Sequence, residues 1–203
     1  MDTQTYLDQN DAFIFELDNV VYPEKDFYLQ VYYLFSHFLE YSEQISAIEV
    51  LGFMKNELSK NGPEGVFRST TEKFKDAEKY KLNYEMLLSG AKLPLKLEMF
   101  PEIFSFLKKI ISRDKQIFLL TKGDPAAQLN KIKQTNWNGI ADRLTVYFSE
   151  EIAHNPADMG LPKVLCSYNL EVSKTVFIGR CEQDLQAAEI AGINYLTASK
   201  LLV

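Results

Sequence analysis

From about residue 100 onward the chain alternates short apolar runs with stretches of helical spacing. Gln116-Ile117-Phe118-Leu119-Leu120, Leu144-Thr145-Val146-Tyr147-Phe148, Thr175-Val176-Phe177-Ile178 and residues 193–196 read as strands. Residues 102–112, 126–134, 161–168 and 182–191 read as helices between and beside them; Ile103, Phe106, Leu107, Ile110 and Ile111 mark one apolar face. A strand that is apolar throughout is buried on both faces, and strands joined through helices run parallel. The expected fold class is α/β, a doubly wound parallel sheet.

One further strand lies far upstream. Phe13-Ile14-Phe15 runs into Glu16-Leu17-Asp18 and then breaks into the turn Asn19-Val20-Val21-Tyr22-Pro23. Side chains alternate along a strand, so Glu16 and Asp18 are expected to project the same way. At the carboxyl end of a parallel strand they would reach the crevice where open α/β sheets bind ligands. Two close carboxylates resist joint ionisation, so a metal, a phosphoryl group or a basic partner is expected beside them. The bland reading is a strand end facing water, and this stretch alone leaves both readings open.

Residues 24–93 interrupt the sheet. Phe27, Val31, Leu34, Phe35, Phe38 and Leu39 recur at helical spacing, and so do Ile45, Ile48 and Leu51. Asn61-Gly62-Pro63-Glu64-Gly65 forms a break, and nothing in the block alternates like a strand. The aromatic stripe Phe27, Tyr28, Tyr32, Phe35 and Phe38 is read as core packing. The expected organisation is a core domain of residues 1–22 and 94–203 with an inserted all-helical cap, residues 23–93.

Composition narrows the function classes. A net charge of −6 argues against a general nucleic-acid or anionic-membrane binder, without excluding a local basic pocket. No apolar run reaches the roughly 20 residues a membrane span needs. Cys166 and Cys181 make neither a disulfide framework nor a zinc spacing, and the polar Met1-Asp2-Thr3-Gln4 lacks the features of a signal peptide. A cytoplasmic location is expected.

Three strand ends now carry polar groups: Glu16 and Asp18, Thr121 and Lys122, and Arg180 with Asp184 one helical turn on. In this order the chain resembles the haloacid dehalogenase-like (HAD) superfamily, in its phosphatase and nucleotidase-like subgroup with a helical cap. Phe15-Glu16-Leu17-Asp18-Asn19-Val20-Val21-Tyr22-Pro23 is similar to the first motif, usually Asp-Leu-Asp-Asn-Thr-Leu-Tyr-Pro. Leu119-Leu120-Thr121-Lys122-Gly123-Asp124 resembles the second, and Phe177-Ile178-Gly179-Arg180-Cys181-Glu182-Gln183-Asp184 the fourth. Met99-Phe100-Pro101, Ser149-Glu150 and Ala187-Ala188-Glu189-Ile190-Ala191-Gly192-Ile193 add support.

The resemblance implies a phosphatase of small phosphorylated metabolites. Its first carboxylate, here Glu16, attacks phosphorus, and its second, Asp18, serves as general acid and base. The second-motif hydroxyl, Thr121, and a third-motif lysine hold the phosphate; Mg²⁺, held through Glu16, Asp18 and Asp184, offsets charge. Lys122 is a further candidate phosphate contact. The family's halide-displacing enzymes use no Mg²⁺ but also need the aspartate.

Four positions depart from the pattern. Glu16 is one methylene longer than aspartate, and a displacement of about 1 Å can cost ~10²-fold in rate. Val20 replaces a threonine. The third-motif lysine position falls on Asn155, with Lys163 eight residues later as a substitute. Arg180 stands where an aspartate ligand belongs, and a guanidinium cannot bind Mg²⁺. The expectation is an ion-pair cluster of Arg180 with Glu16, Asp18 and Asp184 in the metal's place, and weak or absent Mg²⁺-dependent catalysis. The competing expectation is a non-catalytic domain that binds an anionic ligand or a protein partner. Cys181 is a candidate reactive thiol if Arg180 lowers its pKa. His37, His154 and Trp137 are read as surface or packing residues.

Overall fold

The computed structural model describes residues 3–202. The chain divides into two compact units: one runs to Pro23 and includes Glu98–Gln128 and everything from Thr135, the other comprises Glu24–Leu97 and Leu129–Gln134.

The first unit opens with helix α1 (Thr3–Gln9) and strand β1 (Ala12–Phe15). After the helical unit, helices α2 (Glu24–Glu43), α3 (Ala47–Asn61), α4 (Val66–Lys73) and α5 (Lys81–Gly90), it resumes with α6 (Pro101–Ile111), β2 (Gln116–Thr121), the first residues of α7 (Pro125–Gln134), whose remainder from Leu129 belongs to the helical unit, and β3 (Leu144–Phe148). It closes with the short α8 (Ser149–Ile152), then α9 (Leu161–Tyr168), β4 (Thr175–Gly179), α10 (Glu182–Ala191) and β5 (Asn194–Thr197). The helix α1 was not foreseen, because its residues, polar save Tyr6 and Leu7, give no clear periodicity.

The five strands form one sheet in the order β3-β2-β1-β4-β5, every neighbouring pair parallel. β1 lies at its centre, and all four of its residues are buried. Ile14 packs with Phe118, Leu120 and Phe177 beneath Leu161, Val164 and Leu165 of α9 and Ala187 and Ala188 of α10. Phe13 and Phe15 face the other layer, where the Phe106 ring of α6 meets both edge-on, with centroids 5.8 and 6.3 Å away. The sheet is thus covered on both faces, as the continuous apolar strands required.

The helical unit is held by aromatics. Phe27, Val31, Phe35 and Leu39 of α2, each four residues apart, are fully buried. Tyr84 of α5 meets Phe35 at 5.3 Å and stacks on Phe67 at 4.8 Å. The stripe serves as core packing. In the same unit the buried Lys131 lies 3.6 Å from Glu24 and over the rings of Phe27 and Tyr28, each 5.2 Å from its ammonium. Among the described residues no helix is long and apolar enough to cross a membrane. His37 is exposed beside Glu40, and Trp137 is buried.

Candidate active site

The carboxyl ends of β1, β2 and β4 lie side by side in the sheet, which brings three acids together. β1 ends at Phe15, but the Glu16 amide still donates to the Ile178 carbonyl of β4 at 2.9 Å. Beyond it the chain turns: Val21 N–H donates to Leu17 O at 2.9 Å, Asn19 N–H to Tyr22 O at 3.0 Å, and Asn19 takes a positive φ of 60°. Asp18 therefore sits in a turn. The strand alternation expected to align it with Glu16 stops one residue earlier, and turn geometry brings the two together instead.

Glu16 does not reach outward. Its carboxyl folds back so that Oε2 accepts the amide proton of Leu17, and Oε1 lies 3.2 Å from the Thr121 hydroxyl, which donates to it. The residue is 8% exposed. Burial, then the Asp18 charge, and more weakly the Asp184 charge, push its pKa well above the usual carboxylate range, despite the opposing bonds from Leu17 and Thr121. The shift is in the direction of the neutral acid.

Asp18 is held at both oxygens. The Tyr22 hydroxyl donates to Oδ1 at 2.7 Å, and the Gln128 side-chain amide donates to Oδ2 at 3.1 Å. Gln128 sits on α7, outside every motif, and sequence reasoning missed it. Its position seven residues after Thr121, on the helix leaving the second motif, is the only signal the sequence offers.

Asp184 is consumed by the turn that carries it. It is 3% exposed, and its Oδ2 accepts the amides of Arg180 at 2.7 Å and Cys181 at 3.0 Å. As the third residue of α10 it satisfies N–H groups that the helix cannot bond internally. Gly179 makes this possible: a Cβ there would lie 2.5 Å from that of Asp184.

The cationic groups stand elsewhere. Arg180 is exposed, and among the described residues its guanidinium forms no ion pair with Glu16, Asp18 or Asp184. The expected cluster is thus corrected: Asp184 is already satisfied by backbone amides, and the arginine side chain is left to solvent. Lys122 is exposed, and its ammonium donates to Gln183 Oε1 on the first turn of α10. Beside it, Gly123 N–H donates to Glu150 Oε1 at 2.6 Å. Asn155 is exposed, and its Oδ1 accepts the Ala157 amide at 3.1 Å, so it shapes its own turn. Lys163 is exposed on α9, and His154 is exposed beside Asn155. The Cys181 thiol is pushed up by desolvation and further by the Asp184 carboxylate, so it is not an activated thiolate.

A family model for haloacid dehalogenase-like hydrolases matches residues 13–198. Among solved structures, YfnB from Bacillus subtilis, bound to magnesium, superposes with a TM-score of 0.61 at 12% identity, covering 92% of this chain and 86% of that one. A hydrolase from Streptococcus pneumoniae gives 0.57 at 15% identity, covering 93% and 92%. A CbbY variant from Rhodobacter sphaeroides, in complex with xylulose-(1,5)bisphosphate, gives 0.54 at 11% identity, covering 93% and 85%. At such identities the likeness bears on the fold alone. No functionally curated protein matches the sequence. With the family match spanning nearly the whole chain, the chain belongs to the haloacid dehalogenase-like hydrolase family.

Proposed function

We propose that this chain is a haloacid dehalogenase-like domain that binds a small phosphorylated or otherwise anionic molecule and has weak or absent Mg²⁺-dependent phosphatase activity. The observation that carries the reading is Glu16. A nucleophile must be ionised and must present an oxygen to phosphorus. Here both carboxyl oxygens are engaged by Leu17 N–H and Thr121, in a buried setting that favours the neutral acid.

Mg²⁺, which the family implies, does not fit this donor set. Both Glu16 oxygens are turned to Leu17 N–H and Thr121, one Asp184 oxygen already serves two amides, and both Asp18 oxygens accept hydrogen bonds. Among the described residues no group of three or more His, Cys, Asp or Glu side chains could hold a metal ion. The ligand class is supported by the phosphorylated sugar in the CbbY complex. In this reading the helical unit is the family's cap and selects the ligand.

The test is a screen of the purified chain against an aryl phosphate and a panel of phosphorylated metabolites, with Mg²⁺ and with chelator. Turnover at least ~10²-fold below that of a family member with the aspartate nucleophile, and indifferent to Mg²⁺, is expected. Rapid turnover that requires Mg²⁺ would overturn the reading. The combined Glu16→Asp, Arg180→Asp variant is expected to gain Mg²⁺-dependent activity over wild type, limited by the missing third-motif lysine.

A further inference from the structure

We propose that Gln128 is a positioning residue of the crevice, a clamp that holds Asp18 against the loop following β2. The assignment rests on the reading of this crevice as the functional site.

The geometry is specific. Gln128 is 5% exposed, and its Nε2 makes two bonds, to Asp18 Oδ2 at 3.1 Å and to the Lys122 carbonyl at 2.7 Å. Both neighbours are pure acceptors when Asp18 is ionised, so the amide can face them only through its nitrogen. Its Oε1 is then turned away, buried and without a hydrogen-bond partner. A buried acceptor left unsatisfied is unfavourable, so a packing residue at this position would be apolar. The amide is accounted for by what its nitrogen holds.

Two further features serve the same contact. Gly123 adopts a φ of +112°, and a Cβ there would lie 3.0 Å from Gln128 Nε2. The glycine therefore both permits the backbone turn and leaves room for the amide. On the opposite oxygen, Tyr22 donates to Asp18 at 2.7 Å. With a donor on each oxygen, the Asp18 carboxylate has its plane and rotamer fixed. One side chain on α7 thereby joins the first-motif turn to the second-motif loop, the two segments that any bound anion would have to bridge.

The clamp can be read without any activity. In ¹⁵N-labelled wild-type protein, the Gln128 side-chain amide protons are expected to exchange with solvent about tenfold or more slowly than those of Gln4, whose amide bonds Asp8 on the surface. Asp18→Ala should reduce that protection and leave Gln134, bonded to Ala91, unchanged. Exchange as fast as Gln4, or indifference to Asp18→Ala, overturns the proposal.

A second arm uses the Glu16→Asp, Arg180→Asp protein with aryl phosphate. Adding Gln128→Met is expected to lower kcat about tenfold with KM little changed. A loss confined to melting temperature would make Gln128 merely structural and overturn the proposal. If the double variant fails to turn over, the attribution of the lost activity to Glu16 and Arg180 falls, while the amide exchange still decides the clamp.

Discussion

The acids and the cations assigned to this crevice have opposite fates. Glu16 and Asp184 are buried, and with Asp18 they are bonded to donors from their own unit, while Arg180, Lys122 and Lys163 stand in solvent. Carboxylates held in such a crevice can be satisfied by hydrogen bonds, by neutralisation, or by both. Asp18 and Asp184 take the first route, and Glu16 takes both. The extra methylene of Glu16 lets its carboxyl curl onto its own backbone.

The contrast can be broken at several points, and the size of the response separates its parts. Removing the scaffold should cost most. Phe106→Ala deletes the ring that Phe13 and Phe15 pack against, with an expected loss of about 3–5 kcal/mol by denaturant unfolding. A loss under 1 kcal/mol would mean that this layer does not hold the opening strand. Next comes the buried-acid side. Gly179→Ala forces a Cβ to within 2.5 Å of the Asp184 Cβ and should cost about 1–3 kcal/mol. The exposed side should respond least: Lys163→Ala is expected to stay within about 0.5 kcal/mol of wild type. A larger effect there would show that the lysine does more than meet water.

Acidity tests the contrast from another direction. The Glu16 pKa is raised in the native state above its ordinary value of 4.5, so over the range between the two values the native state holds a proton that the unfolded state releases. Its contribution to stability is fully present below about that value and is lost as pH rises through the native pKa. Glu16→Gln keeps the neutral shape without the proton, and should flatten this part of the stability profile and stabilise the protein at neutral pH. Unfolding curves across the pH range would show the change in slope.

The sequence made the sheet legible because its strands are apolar throughout and separated by helices, a pattern with few other solutions. It also brought Glu16, Asp18, Thr121 and Asp184 to neighbouring strand ends. What it could not convey is where long side chains go. Arg180 was read as an inward cation because of its motif position, but rotamer and backbone capping at the α10 terminus decide its direction. Lys122 was recognised, although its bond to Gln183 depends on how α10 approaches β2. Gln128 escaped because helical spacing marks only which residues are buried, not which buried amide faces an acid.

The carboxyl carbon of Glu16 reports the protonation state of that group directly. In ¹³C-labelled protein the Glu16 Cδ resonance, assigned by its loss in Glu16→Gln, is expected to remain that of a protonated acid as pH rises well past 4.5. A resonance that titrates near 4.5, as an ordinary exposed glutamate does, would contradict the account and restore Glu16 as an ionised nucleophile.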